Sequence, residues 1–195
     1  MRILAVIGAL AIIGAIAAAV FFFGGYYNVA ATEPDLGIVH WALVQIRTAS
    51  IDRHSKDDSP PAGYDDPAKI QEGARQYSVI GCVNCHGVPV APGSTWAKFS
   101  EGLHPDPPGL KELANDVTPA QLFWVIKNGI NMTGMPSFAG AAKDEDLWSI
   151  VAFVKKLPII SEADYRSWTA TPPAPEPSPT PVPAPTATPT PTPSK

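Results

Sequence analysis

The chain is poor in cysteine, lacks an excess of positive charge and shows no alternating strand pattern. Only two of its 195 residues are cysteine. This excludes a disulfide-dense secreted scaffold and any zinc or iron–sulfur site with four cysteine ligands. The formal net charge is −4, whereas nucleic-acid-binding proteins carry a basic footprint, so we expect no nucleic-acid partner. The missing period-two alternation favours an all-α fold.

Proline and apolar residues are concentrated at the two ends of the chain. Residues 170–195 contain eleven of the 23 prolines, and no charged residue occurs between Ile3 and Gly25. The remaining middle of the chain has the size of one domain, which excludes a multidomain enzyme. Its mild acidic excess is expected on solvated faces and helix starts.

This distribution predicts four segments. Residues 1–31 form an N-terminal transmembrane anchor or a signal peptide, and residues 32–64 a juxtamembrane amphipathic helix and linker. Residues 65–169 form the folded domain. Residues 170–195 form a disordered tail rich in Pro, Thr and Ala.

The apolar run Ile3–Gly25 is long enough to cross a membrane. Its 23 residues would span about 34 Å as a helix, against a hydrocarbon core of about 30 Å. Arg2 precedes it, and Tyr26 and Tyr27 follow where aromatic rings favour the interface. A signal peptide cleaved near Val29–Ala31 is the alternative, but its apolar region would be shorter. Under either interpretation, the rest of the chain is exported from the cytoplasm.

The second segment contains four apolar residues at helical spacing: Leu36, Val39, Leu43 and Ile46. They predict a helix from about Asp35 to Thr48 that lies on the membrane surface or packs on the domain. The polar run Ser50–Tyr64 is predicted to be a linker. No cysteine pair precedes His40 or His54, so neither is expected to be a metal ligand.

The most informative stretch is Cys82-Val83-Asn84-Cys85-His86. A C-x-x-C pair alone is also found in redox dithiols, half zinc sites and disulfides. A histidine directly after the second cysteine is typical of covalent c-type haem attachment. Two thiols on one helical turn can form thioethers with two vinyl groups of a porphyrin, and the adjacent imidazole then faces the iron. One such motif predicts one haem c.

A second axial ligand is expected downstream of this motif. The candidates are Met132, Met135 and His104. Met135 lies between Gly134 and Pro136, which predict an extended loop with little bulk, so that a thioether can approach the iron.

With these motifs the chain resembles the single-haem class I cytochromes c of the bacterial membrane-anchored type. The resemblance covers about Asp66–Leu157. Besides the haem motif it rests on four short matches: Gly73 with Tyr77, Pro108-Gly109-Leu110, Gly134-Met135-Pro136, and residues 147–153.

The resemblance implies the site residues. Cys82 and Cys85 would carry the haem, with His86 as proximal and Met135 as distal iron ligand. Pro108 would accept a hydrogen bond from His86 Nδ1 through its carbonyl and so orient the ring. A register slip would make Met132 the ligand instead, whereas His104 is interpreted as a loop residue.

The helices of the domain are predicted from their ends. An N-cap before proline starts one helix at Asp66-Pro67, and a capping box starts another at Thr118. The expected spans are Pro67–Val79, Pro119 to about Gly129, Glu145–Leu157 with Asp144 as N-cap, and Ser161–Trp168. Gly73 is expected to let the first and third of these helices cross closely.

The implied function is electron transfer rather than catalysis. The resemblance implies a bacterial inner-membrane protein whose domain faces the periplasm. Donors would be a quinol-oxidising complex or a dehydrogenase, and acceptors an oxidase, a reductase or a photosynthetic reaction centre. The alternatives are a cytochrome subunit of a larger oxidoreductase or terminal oxidase, and a haem sensor or peroxidase with a labile distal methionine.

Deletion of residues 170–195 should leave the visible spectrum of the haem protein unchanged, because a chain so rich in proline buries no apolar surface. Absorption spectra of the full-length and shortened proteins, oxidised and reduced, check this. Loss of the axial-ligand band on deletion would contradict the four-segment division.

Overall fold

The computed structural model describes residues 2–88 and 100–170, and all regular structure within them is helical. The tail predicted for residues 170–195 lies outside this part of the chain apart from Ala170. Two short 3₁₀ turns occur at Ser100–Gly102 and Leu157–Ile159. The α-helices are α1 (Arg2–Phe23), α2 (Gly37–His54), α3 (Pro67–Val79), α4 (Val83–His86), α5 (Leu110–Asp116), α6 (Pro119–Asn128), α7 (Asp144–Lys156) and α8 (Glu162–Thr169).

α1 lies at the N-terminus and none of its residues is buried. Its 22 residues are long and apolar enough to cross a membrane by length and composition. The helix begins at Arg2, one residue before the predicted run, and ends at Phe23, two residues before the end of that run at Gly25.

The capping signals predict the domain helices well. α3 begins with Pro67, as expected. α6 has the predicted capping box: Thr118 Oγ1 accepts from the Gln121 N–H at 3.2 Å, and Gln121 Oε1 accepts from the Thr118 N–H at 2.7 Å.

The predicted N-cap of α7 is wrong by one residue. Asp144 is already the first helical residue, and Lys143 holds the extended backbone conformation of a cap. The Lys143 N–H donates to Asp146 Oδ2 at 3.4 Å. The acidic residues therefore stabilise α7 from positions within its first turn.

α2 extends further than predicted and packs on the domain, which is one of the two arrangements that its apolar stripe left open. It continues to His54, so the linker begins at Ser55. Leu36 and Ile46 of the predicted stripe are 51% and 65% exposed, because the helix turns another face towards α6. His54 Nδ1 lies 2.8 Å from the carbonyl of Ser50.

The centre of the domain is the crossing of α3 and α7. Gly73 is buried there, and a Cβ at this position would lie 1.9 Å from the carbonyl oxygen of Ser149. The rings of Tyr77 and Phe153 pack beside it with centroids 5.5 Å apart. The close crossing expected at Gly73 is therefore present.

Two further contacts join α7 to the neighbouring helices. Phe123 of α6 stacks on Trp148 at 4.2 Å between centroids, with the rings nearly parallel. Lys155 Nζ donates to the carbonyls of Ala114 and Val117 at the end of α5. Since helix C-termini leave carbonyls without partners, this lysine caps α5 from another helix.

Gly73→Ala should destabilise the holo protein by about 2 kcal/mol or more, because overpacking against backbone atoms costs more than alanine gains in helix propensity. Gly140→Ala is the matched control, since no atom lies within 4 Å of a Cβ there. Urea unfolding followed by circular dichroism measures both. Equal stability of the two variants would contradict the tight crossing.

Candidate functional site

A cavity of about 340 Å³ lies between the helices of the domain. This volume is in the range of ordinary small-molecule sites. Most of the residues that line it are apolar. Several of these come from α5, α6 and α7, with Leu122, Ile126 and Ile150 among the buried members. All five predicted site residues line the same space: Cys82, Cys85, His86, Pro108 and Met135.

α4 holds the haem-attachment motif in a single turn. The carbonyl of Cys82 accepts from the Cys85 N–H at 3.2 Å and from the His86 N–H at 2.9 Å. The turn ends at Gly87, whose φ of 66° is a backbone conformation that favours glycine. Tyr77 donates its hydroxyl to the Gly87 carbonyl at 2.9 Å, which joins the motif to the buried face of α3.

Cys82 and Cys85 are not joined by a disulfide bond. Burial, helped by the nearby Cys85, raises the pKa of Cys82 to about 12. The Cys82 thiol therefore stays protonated at neutral pH, whereas redox-active and metal-binding cysteines need a lowered pKa. A thioether carries no charge and suits this apolar environment. The apolar surroundings of Cys82 are therefore compatible with covalent attachment.

His86 is oriented by the backbone of Pro108. Its Nδ1 lies 3.3 Å from the Pro108 carbonyl oxygen, the contact expected for that proline. Burial lowers the pKa of His86, while the Pro108 carbonyl acts in the opposite direction. Burial dominates and favours the neutral imidazole, which is the form that binds metals. Donation of Nδ1–H to Pro108 leaves the lone pair of Nε2 available.

Met135 is held by a closed turn instead of the extended loop that its neighbours predict. The Ile130 N–H donates to the Met135 carbonyl at 3.1 Å. Thr133 Oγ1 accepts from the Met135 N–H at 3.1 Å and donates to the Ile130 carbonyl at 2.8 Å. Gly129, with φ of 71°, lets the turn approach α6, since a Cβ there would lie 2.7 Å from the Pro136 backbone.

The two other candidate ligands do not face the cavity. Met132 sits at the tip of the turn with φ of 60° and is 83% exposed. His104 Nε2 lies 3.5 Å from Asp35 Oδ2, beyond hydrogen-bond geometry, and the ring is absent from the cavity lining. Among the three candidates only Met135 shares the cavity with His86.

Sequence reasoning missed the contribution of α2. Four of its residues line the cavity: Arg47, Thr48, Ile51 and Asp52. Their i, i+1, i+4, i+5 spacing marks one helix face, but the face is half polar, so apolar periodicity could not single it out.

These donors fit a haem c. An imidazole and a thioether share one mostly apolar cavity with the two cysteines of a CxxCH turn, and these are the groups that hold haem iron and its vinyl side chains.

The comparisons with known proteins agree with this chemistry. Residues 68–154 match the family model described as "Cytochrome C oxidase, cbb3-type, subunit III". Neither a curated protein nor a solved structure gives a significant match. The CxxCH motif, the all-α fold and the family match together identify residues 68–154 as a class I c-type cytochrome domain.

Proposed function

We propose that this chain is a membrane-anchored carrier of single electrons that uses one haem c with His86 and Met135 as axial ligands. Haem c supplies reversible one-electron exchange at its iron. The observation that carries the proposal is the presence of His86, Met135 and both cysteines around one apolar cavity.

The two axial ligands determine the kind of chemistry. With an imidazole and a thioether on the iron no position is open for oxygen or peroxide, which favours outer-sphere electron transfer over catalysis. A thioether ligand and an apolar pocket both stabilise Fe(II) over Fe(III) and raise the potential. The role we assign is therefore an intermediate carrier at positive potential, not an enzyme.

The proposed location follows from α1. A helix of this length and composition serves as a single-pass anchor in a bacterial inner membrane, and covalent haem attachment requires the domain to lie on the periplasmic side. The domain then meets quinol-oxidising complexes or dehydrogenases as donors. Oxidases, reductases or reaction centres act as acceptors.

A second candidate function is a cytochrome subunit of a terminal oxidase. It is favoured by one specific observation: the family whose model matches residues 68–154 is described as an oxidase subunit. The two candidates differ in their assembly state. Cross-linking and gentle solubilisation of native membranes distinguish a freely exchanging carrier from a subunit that co-purifies with a haem–copper complex.

Met135→Leu should remove the long-wavelength band of methionine-ligated ferric haem and let CO bind quickly to the reduced protein. The potential should fall by tenths of a volt, since the axial ligand is a main determinant of haem potential. Visible spectroscopy, CO titration and potentiometry of the full chain measure these effects.

Met132→Leu is the matched control and should leave all three measurements unchanged, because Met132 is exposed. The reverse pattern, with the band lost only in the Met132 variant, would contradict the ligand assignment. A pyridine haemochrome assay of the parent protein should give one c-type haem per chain; its absence would refute the proposed function.

A further inference from the structure

α2 lies outside the segment that matches the cytochrome family, yet it is bound to the domain. Gln121 Nε2 of α6 donates to Asp52 Oδ1 at 2.6 Å. The ring of His54 stacks on Trp124, with centroids 5.9 Å apart and an interplanar angle of 28°. These contacts fasten the C-terminal half of α2 along α6.

The segment before α2 is also tied to both sides. Tyr27, just after α1, donates its hydroxyl to Asp35 Oδ1 at 2.9 Å. Asp35 Oδ2 in turn lies 3.5 Å from His104 Nε2, a residue of the domain. Asp35 therefore lies between a residue that follows the anchor helix, to which it is hydrogen-bonded, and a nearby residue of the domain.

Few charged residues line the cavity. Of the described residues around the cavity, Arg47 is the only lysine or arginine, and the two acidic residues are Asp52 and Asp106. Asp52 already accepts from Gln121. In the part of the chain that the structure describes, Arg47 forms no ion pair within 4.0 Å.

Haem adds two propionates to this wall. Two thioethers at Cys82 and Cys85 would hold the vinyl groups at α4, so the propionates extend from another part of the macrocycle. A carboxylate that leaves water is stabilised by a cation with hydrogen-bond donors, and the planar guanidinium provides two parallel donors for one carboxylate. No lysine or arginine of α5, α6 or α7 lines the cavity, so these helices provide no cation for a propionate.

We propose that α2 is a wall of the haem site and that Arg47 is a positioning residue that binds a haem propionate. This inference rests on the proposed haem function and extends it to a helix that the family match does not include. It also makes the juxtamembrane helix part of the haem domain. The haem is then held in a defined relation to α2, and redox partners reach it from a side that α2 does not cover.

Arg47→Gln in the full-length holo protein tests the role of this cation. Loss of the positive charge leaves the propionate uncompensated and stabilises Fe(III). At an effective dielectric constant near 20, the equilibrium constant for reduction should fall roughly threefold to tenfold. Potentiometry measures this change. Resonance Raman reports directly on the propionate, whose bending band shifts when its hydrogen-bond donor is lost.

Arg53→Gln is the matched control, since Arg53 is an exposed arginine on the same helix that does not line the cavity. It should keep the parental potential and Raman band. Arg47→Lys should retain most of the potential, because the charge remains, but shift the Raman band, because the paired donors are lost.

Parental potential and Raman band in both Arg47 variants would overturn the inference. The haem content of each variant separates this outcome from failure of the proposed function. If the parent protein carries no covalent haem, the function is refuted; if haem is present and only the Arg47 effects are missing, the role of Arg47 alone is wrong.

Discussion

The close crossing of α3 and α7 at Gly73 is the contact on which the site depends. Because the helices touch through backbone atoms at this point, Tyr77 is buried against Phe153 and its hydroxyl reaches the carbonyl of Gly87. That hydrogen bond fixes the end of the α4 turn, and with it the cysteines and His86. A side chain at Gly73 would push α3 away and carry the haem-attachment turn with it.

The second half of the site is built from the other side of α7. The stacked rings of Phe123 and Trp148 hold α6 against α7. Gly129, directly after α6, lets the following turn pack closely against the helix, and this brings Met135 to the cavity. The two proposed axial ligands thus come from segments about 50 residues apart. Each segment is held by a helix, α3 or α6, that packs on α7. Burial raises the pKa of Cys82 and lowers the pKa of His86, which favours the neutral form of both groups.

Sequence reasoning succeeded where the cause is local. Capping residues and proline at the first helical position place α3 and α6 correctly. It failed by one residue at the start of α7, where an aspartate can act either as cap or as first-turn acid. For α2, apolar periodicity identified the helix but left open whether it lies on the membrane surface or packs on the domain. The structure packs its half-polar face, which includes Asp52, on the domain and leaves Leu36 and Ile46 exposed. Hydrogen bonds such as that from Gln121 to Asp52 connect residues too distant in sequence to leave a periodic signal.

The amino-acid sequence by itself indicated the cofactor chemistry, since Cys82, Cys85 and His86 lie within five consecutive residues and their spacing suits two thioethers and one imidazole. It also determined the all-α class and the apolar N-terminal helix. Only the tertiary structure decided which downstream side chain shares the cavity with His86, that Met132 faces solvent, and that α2 closes one side. These depend on contacts between segments far apart in the chain, and the free energy of such contacts comes from burial and geometry that no short stretch of sequence contains.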